Sequence, residues 1–136
     1  MSEMAVKMVA DYFEAQQFKI QYIREDVIHG FWEFEGGSIE IYLKFNDDDS
    51  YVHVEGYRFL KIPQSKFDLI YKVLNECNDT YKFVKFVLDT ENEELNARID
   101  SMIQLDSCGP ECHELVGRIV AVVQDSYPKF MKALWT

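Results

Sequence analysis

The chain has 136 residues, with 48% apolar and 15% aromatic side chains, enough to bury one core and to exclude a largely disordered chain. Its 24 acids outnumber 14 bases, for a formal net charge of −10, a surface that repels phosphate and argues against nucleic acid and anionic membranes as partners. A basic or partly unfolded protein would suit that surface better.

The opening Met1-Ser2-Glu3-Met4 has no basic stretch leading into an apolar one, so no signal peptide is expected. No run approaches the roughly 18 apolar residues of a membrane helix. Three cysteines are too few for a disulfide scaffold, and a cytoplasmic location is expected. Ser2 can cap a first helix whose apolar Ala5, Val9, Tyr12 and Phe13 recur at helical spacing, with Met4 and Met8 widening the face and an end near Gln16. Phe18, Ile20 and Tyr22 then alternate with Lys19 and Gln21, as an optional extra edge strand.

From Val27 the pattern has a period of two. Ile28, Trp32 and Phe34 share one parity, and His29, Phe31, Glu33 and Glu35 the other. Gly36-Gly37 makes a turn. "SIEIYLKF" sets Ile39, Ile41, Leu43 and Phe45 against Glu40, Tyr42 and Lys44. "NDDDS" reads as a turn of solvated acids, lacking the spacing and distal Glu of a calcium loop. Tyr51 to Phe59 returns, with Val52 and Val54 inward and His53, Glu55 and Tyr57 outward.

Pro63 suits the first turn of a second helix, whose Phe67, Ile70, Leu74 and Cys77 form one stripe. Asn78-Asp79 should stop it. Lys82 to Leu88 and Glu94 to Leu105 form a hairpin around "DTENE". A last helix runs from Pro110 to about Tyr127, where Pro128 should kink or break it before Phe130. One α+β domain over residues 1–136 is expected, with an antiparallel five-stranded sheet, helices packed on it, and the order α-β-β-β-α-β-β-α.

"DSCGPECHEL" (106–115) looks most like chemistry. Cys108 and Cys112 flank a helix start, where free N–H groups and the helix dipole favour a thiolate. Asp106, Glu111 and Glu114 oppose that, and a hairpin rather than a βαβ unit leads in. The favoured reading is two reduced cysteines at a helix N-terminus; a redox pair is the alternative. Cys108, Cys112 and His113 are one ligand short of a zinc site, so no metal and no cofactor is expected. No phosphate loop, nucleophile elbow or His-Glu-x-x-His occurs.

Two surfaces stand out. Phe31, Tyr42, His53 and Tyr57 put aromatic rings on the outward face of the first strands, where a protein or peptide partner could lie. On the last helix "LVGRIVAVVQDSY" places Val116, Val120, Val123 and Tyr127 on one line beside Leu115, Ile119 and Val122. That apolar sector is wider than one sheet face needs, and it suggests a homodimer.

Three segments in this order, "GSIEIYLKF", "KIPQSKFDLIYKVLNECN" and "KFVKFVLD", resemble the YbjN-like family of bacterial proteins, labelled sensory transduction regulators. "SCGPEC" departs from that pattern. The resemblance implies a type III secretion chaperone-like fold, frequent dimerisation and an extended client segment held on apolar patches, with no known catalytic residues to carry over. The expected function is a non-catalytic protein-interaction or chaperone-like regulatory module. The alternative is a small thiol oxidoreductase or redox sensor using Cys108 and Cys112.

Overall fold

A computed structural model describes residues 4–136, with Tyr22 and Ile23 described by their backbone alone. In chain order come α1 (Met4–Ala15), β1 (Ile20–Arg24), β2 (Val27–Phe34), β3 (Gly37–Phe45), β4 (Tyr51–Tyr57), α2 (Phe67–Thr80), β5 (Lys85–Asp89), β6 (Glu94–Met102) and α3 (Cys108–Leu134). The strands form one antiparallel sheet in the order β1-β2-β3-β4-β6-β5. All three helices cover one face, α3 lying between α1 and α2. The core between the layers holds the inward residues that alternation selects, among them Ile28, Ile41, Leu43, Val54 and Ile99.

The sheet therefore has six strands, not five. The segment read as an optional edge strand pairs with β2 over Ile20↔Gly30 to Arg24↔Val27, so β2 is an interior strand. Ladder hydrogen bonds to β2 supply what the short, weak alternation of this segment lacks. At the other edge, Asn78 does not stop α2, which runs on to Thr80. Its side-chain oxygen accepts from Phe86 N at 2.7 Å while its amide donates to Phe86 O at 3.1 Å, closing part of the open edge of β5.

Other boundaries move for local reasons. Pro63 is extended and precedes a 3-10 turn at Gln64–Lys66, with α2 beginning only at Phe67. β4 ends at Tyr57 because Arg58 has φ 58°, a left-handed conformation that breaks strand alternation and returns Phe59 to the core. β5 starts at Lys85, after Phe83 at φ 69°. β6 ends at Met102 rather than Leu105.

The Ser2 cap expected for α1 lies outside the described residues. Ala5 N instead donates to Asp49 Oδ1 at 3.2 Å, so a carboxylate of the "NDDDS" turn sits at the start of α1. Asp49 is accordingly buried, which corrects the reading of that turn as wholly solvated. Met4 and Met8 do not widen the buried face; both are exposed.

The largest correction concerns α3. It begins at Cys108 and continues through Pro128 to Leu134. Pro128 deprives only the Gln124 carbonyl of its helical donor, and both residues lie on the exposed face, where water can replace it. Two residues on, fully buried Phe130 packs its ring 5.1 Å from Phe86, edge to face, and anchors the last turns to the sheet. Packing outweighs the proline.

Candidate functional site: the open face of the sheet

The face of the sheet away from the helices carries cross-strand rows set by the register. One row reads Arg24, Val27, Lys44, His53, Asp100; the next reads Gln21, His29, Tyr42, Glu55, Arg98, Lys85; a third reads Phe31, Glu40, Tyr57. Phe31 is 67% exposed. His29 stands edge-on to it at 4.8 Å and stacks on Tyr42 at 4.5 Å, and Tyr42 meets Tyr57 edge to face at 5.4 Å. A chain of rings thus crosses β2, β3 and β4. Of the four residues singled out in the sequence, Phe31, Tyr42 and Tyr57 belong to this chain, whereas His53 sits one row away in an ionic cluster.

That cluster has its own logic. His53 Nε2 lies 2.8 Å from Glu55 Oε1 and its Nδ1 2.6 Å from Asp100 Oδ1. Two carboxylates on one ring favour the imidazolium, because only that form donates from both nitrogens. Glu55, then Asp100, raise the His53 pKa above its ordinary value, against burial. Burial pushes the Glu55 carboxyl up, but His53, Tyr57 and Arg98 (3.1 Å) together hold it below its usual range. Burial and the Glu55 carboxylate push the Tyr57 hydroxyl up to about 12. Burial likewise pushes Glu40 up, yet Arg58 at 2.5 Å and His29 at 2.9 Å keep it lowered.

Sequence reading missed one feature of this face. Arg24, Val27, Tyr42, Lys44, Tyr57 and Arg58 line a cleft of about 270 Å³. Alternation could have placed Lys44 there beside Tyr42. Arg58 could not be foreseen, since strict alternation points it into the core and only its left-handed backbone turns it outward.

The residues proposed on the last helix divide. Val116 and Val123 are buried in the chain's own core, facing the sheet layer, whereas Val120 and Tyr127 are half-buried. The helix sector is wide because one side serves the core. Its other side opens on an apolar groove of about 250 Å³ that Val120 shares with Phe18, Trp32 and His113, and a Cβ at Gly117 would meet nothing within 4 Å.

Cys108 and Cys112 are free thiols, both fully buried. Burial first, with the nearby acid Glu111 adding to it, pushes both thiols up, the opposite of what an attacking thiolate needs. The same stretch forms a close helix crossing. A Cβ at Gly109 would stand 2.7 Å from Tyr12 Cβ, so α1 and α3 approach where the side chains are smallest. Among the described residues no three His, Cys, Asp or Glu are grouped to hold a metal ion, and no helix is long and apolar enough to cross a membrane.

The fold is similar to two solved structures. The crystal structure of YbjN from E. coli superposes with a TM-score of 0.66 at 10% identity, covering 91% of this chain and 92% of that one. A chain of the heterodimeric ExoU–SpcU complex, from the type III secretion system of Pseudomonas aeruginosa, gives a TM-score of 0.54 at 10% identity, covering 93% and 98%. The type III secretion chaperone-like α+β fold expected from the sequence is thus present, with one strand more than expected. No curated protein matches the chain significantly. The profile of a family described as "Putative bacterial sensory transduction regulator" matches residues 5–107, most of the chain, and the chain belongs to this family, YbjN.

Proposed function

We propose that the protein is a non-catalytic, chaperone-like regulatory module of the cytoplasm that binds an extended segment of a protein partner across the open face of its sheet. The observation that carries this reading is the combination on that face: none of the described helices covers it, yet Phe31, Tyr42 and Tyr57 interrupt its ion pairs with aromatic surface. A face meant only for water has no use for a ring 67% exposed beside a stack of others. The net charge of −10 favours a basic segment. Membership in a family described as regulators, and likeness in fold to a chain from a heterodimeric complex, support the same reading.

We further propose a homodimer, with a second copy seated on the apolar groove beside Val120 and Gly117. Its support is the open side of α3, where a backbone can approach Gly117 without obstruction.

The partner reading is tested by capture from native lysate with the wild type and with Phe31→Asp. Phe31 is too exposed for its loss to unfold the chain, so equal melting temperatures are expected. A protein captured by the wild type and lost with Phe31→Asp supports the reading. Identical capture by both chains, or no specific capture by either, overturns it.

A further inference from the structure

We infer that the cleft between the end of β1 and the turn after β4 binds a small amphipathic anion, a carboxylate or phosphate carried on a compact apolar body. The inference does not rest on the partner reading, although Tyr42 and Tyr57 border both surfaces.

Charge is the first argument. Acids outnumber bases 24 to 14 in the chain, yet the described residues lining this cleft include Arg24, Lys44 and Arg58 and no carboxylate. Their donors are not exhausted by neighbours. Arg24 meets Asp26 through Nε at 3.1 Å, which leaves both terminal nitrogens. Arg58 meets Glu40 through Nη1 and also bonds Tyr42, which leaves part of its five-donor fork. The Lys44 side chain makes no hydrogen bond or ion pair among the described residues, and it stands between Val27 and His53 in the row that Arg24 begins. An anion here gains charge-assisted bonds that no side chain now supplies.

The second argument is the apolar lining. Val27 points to the open face and is still only 2% exposed, because the cleft residues stand around it. The crossed rings of Tyr42 and Tyr57 add an apolar wall, their hydroxyls being engaged by Glu40 and Glu55. At about 270 Å³ the space suits a ligand smaller than a drug-sized molecule. An apolar pocket with a few convergent polar groups selects a ligand having both an apolar body and a charged end.

The backbone supplies a third. Arg58, at φ 58°, keeps a conformation that a side chain with a Cβ seldom adopts. That departure is what turns its guanidinium to the cleft instead of into the core.

The net charge then narrows the ligand. At physiological ionic strength charges beyond about 8 Å are largely screened, so the charges at the cleft decide: Asp26 and Glu40 each offset one arginine, and Lys44 leaves the local balance positive. A polyanion extends past them onto the acidic surface and is repelled. The cleft therefore favours a free small molecule over nucleic acid or a lipid surface.

The test is titration of the full chain, followed by amide chemical shifts and by calorimetry, with four probes: phenyl phosphate, benzoate, neutral benzamide and inorganic phosphate. Phenyl phosphate and benzoate should saturate, with the largest shifts at Lys44, Tyr57 and Arg58. Benzamide and inorganic phosphate should each bind at least about ten-fold more weakly, since each lacks half of the match. Lys44→Glu should weaken phenyl phosphate by at least about ten-fold, while Met102→Ala, an exposed change outside the cleft, leaves it unaltered. If Lys44→Glu does not fold, the exposed Arg24→Ala carries the same expectation. Absence of saturable shifts at tens of millimolar overturns the inference. So does equal binding of phenyl phosphate and benzamide, or of phenyl phosphate and inorganic phosphate, and so does indifference to the cleft substitution.

Discussion

Phe130→Ala probes the continuity of α3 across Pro128. Phe130 is fully buried, in edge contact with Phe86, which in turn meets Phe59 at 6.3 Å. Truncating a buried Phe removes its transfer free energy and leaves a cavity, together costing about 3–5 kcal/mol. An unfolding entropy near 2.1 cal/mol/K per residue amounts to about 0.29 kcal/mol/K for the 136-residue chain, so the melting temperature should fall by about 10–17 °C. Trp135, only five residues on, is 81% exposed, and Trp135→Ala should change stability by no more than about 0.5 kcal/mol. Thermal melts followed by circular dichroism, with urea titrations to give free energies, measure both. If Pro128 ended the helix and released its last turns, the two substitutions would be equally mild. A Phe130→Ala melt within about 2 °C of the wild type refutes the packing argument.

The fold should be most stable in weak acid. The raised His53 pKa means that its pairing contributes fully below the ordinary 6.5 and is lost as pH rises through the folded value; Glu40 and Glu55, lowered from 4.5, contribute above that value and lose their contribution as pH falls through theirs. Urea midpoints across pH should show both falls, with His53→Gln flattening the alkaline one, and a wild-type midpoint that climbs steadily above neutrality contradicts the assignment. Gly109→Ala should destabilise by about 1–3 kcal/mol through overlap with Tyr12, whereas Gly117→Ala, facing open space, should be neutral or stabilise by up to about 1 kcal/mol. Similar melts for the two variants would argue against the tight α1–α3 crossing. Cys108 and Cys112 should react with a thiol reagent at neutral pH far more slowly in the native chain than in urea; rapid native labelling of both would revive the redox alternative. Light scattering tests the dimer: a mass near 16 kDa at micromolar concentration removes it, and Val120→Glu should dissociate a dimer held by the α3 groove.

What the sequence determined by itself was periodicity. Ile39, Ile41, Leu43 and Phe45 on one side of β3, and Ile70 and Cys77 on the buried stripe of α2, follow from spacing, because one face must leave water. The outward place of Phe31, Tyr42, His53 and Tyr57 follows from the same rule applied to the other face. Tertiary structure decided what one residue does against distant neighbours. Strand β1 depends on pairing with β2, and the start of α1 receives Asp49 from a turn 44 residues away. Pro128 stays inside a helix because Phe130 is held by the sheet. The cleft was hidden for the same reason: Arg58 joins Lys44 only through a left-handed backbone, a choice among local minima that differ by about 1–3 kcal/mol and that long-range packing can reverse without leaving a mark in the pattern of apolar residues.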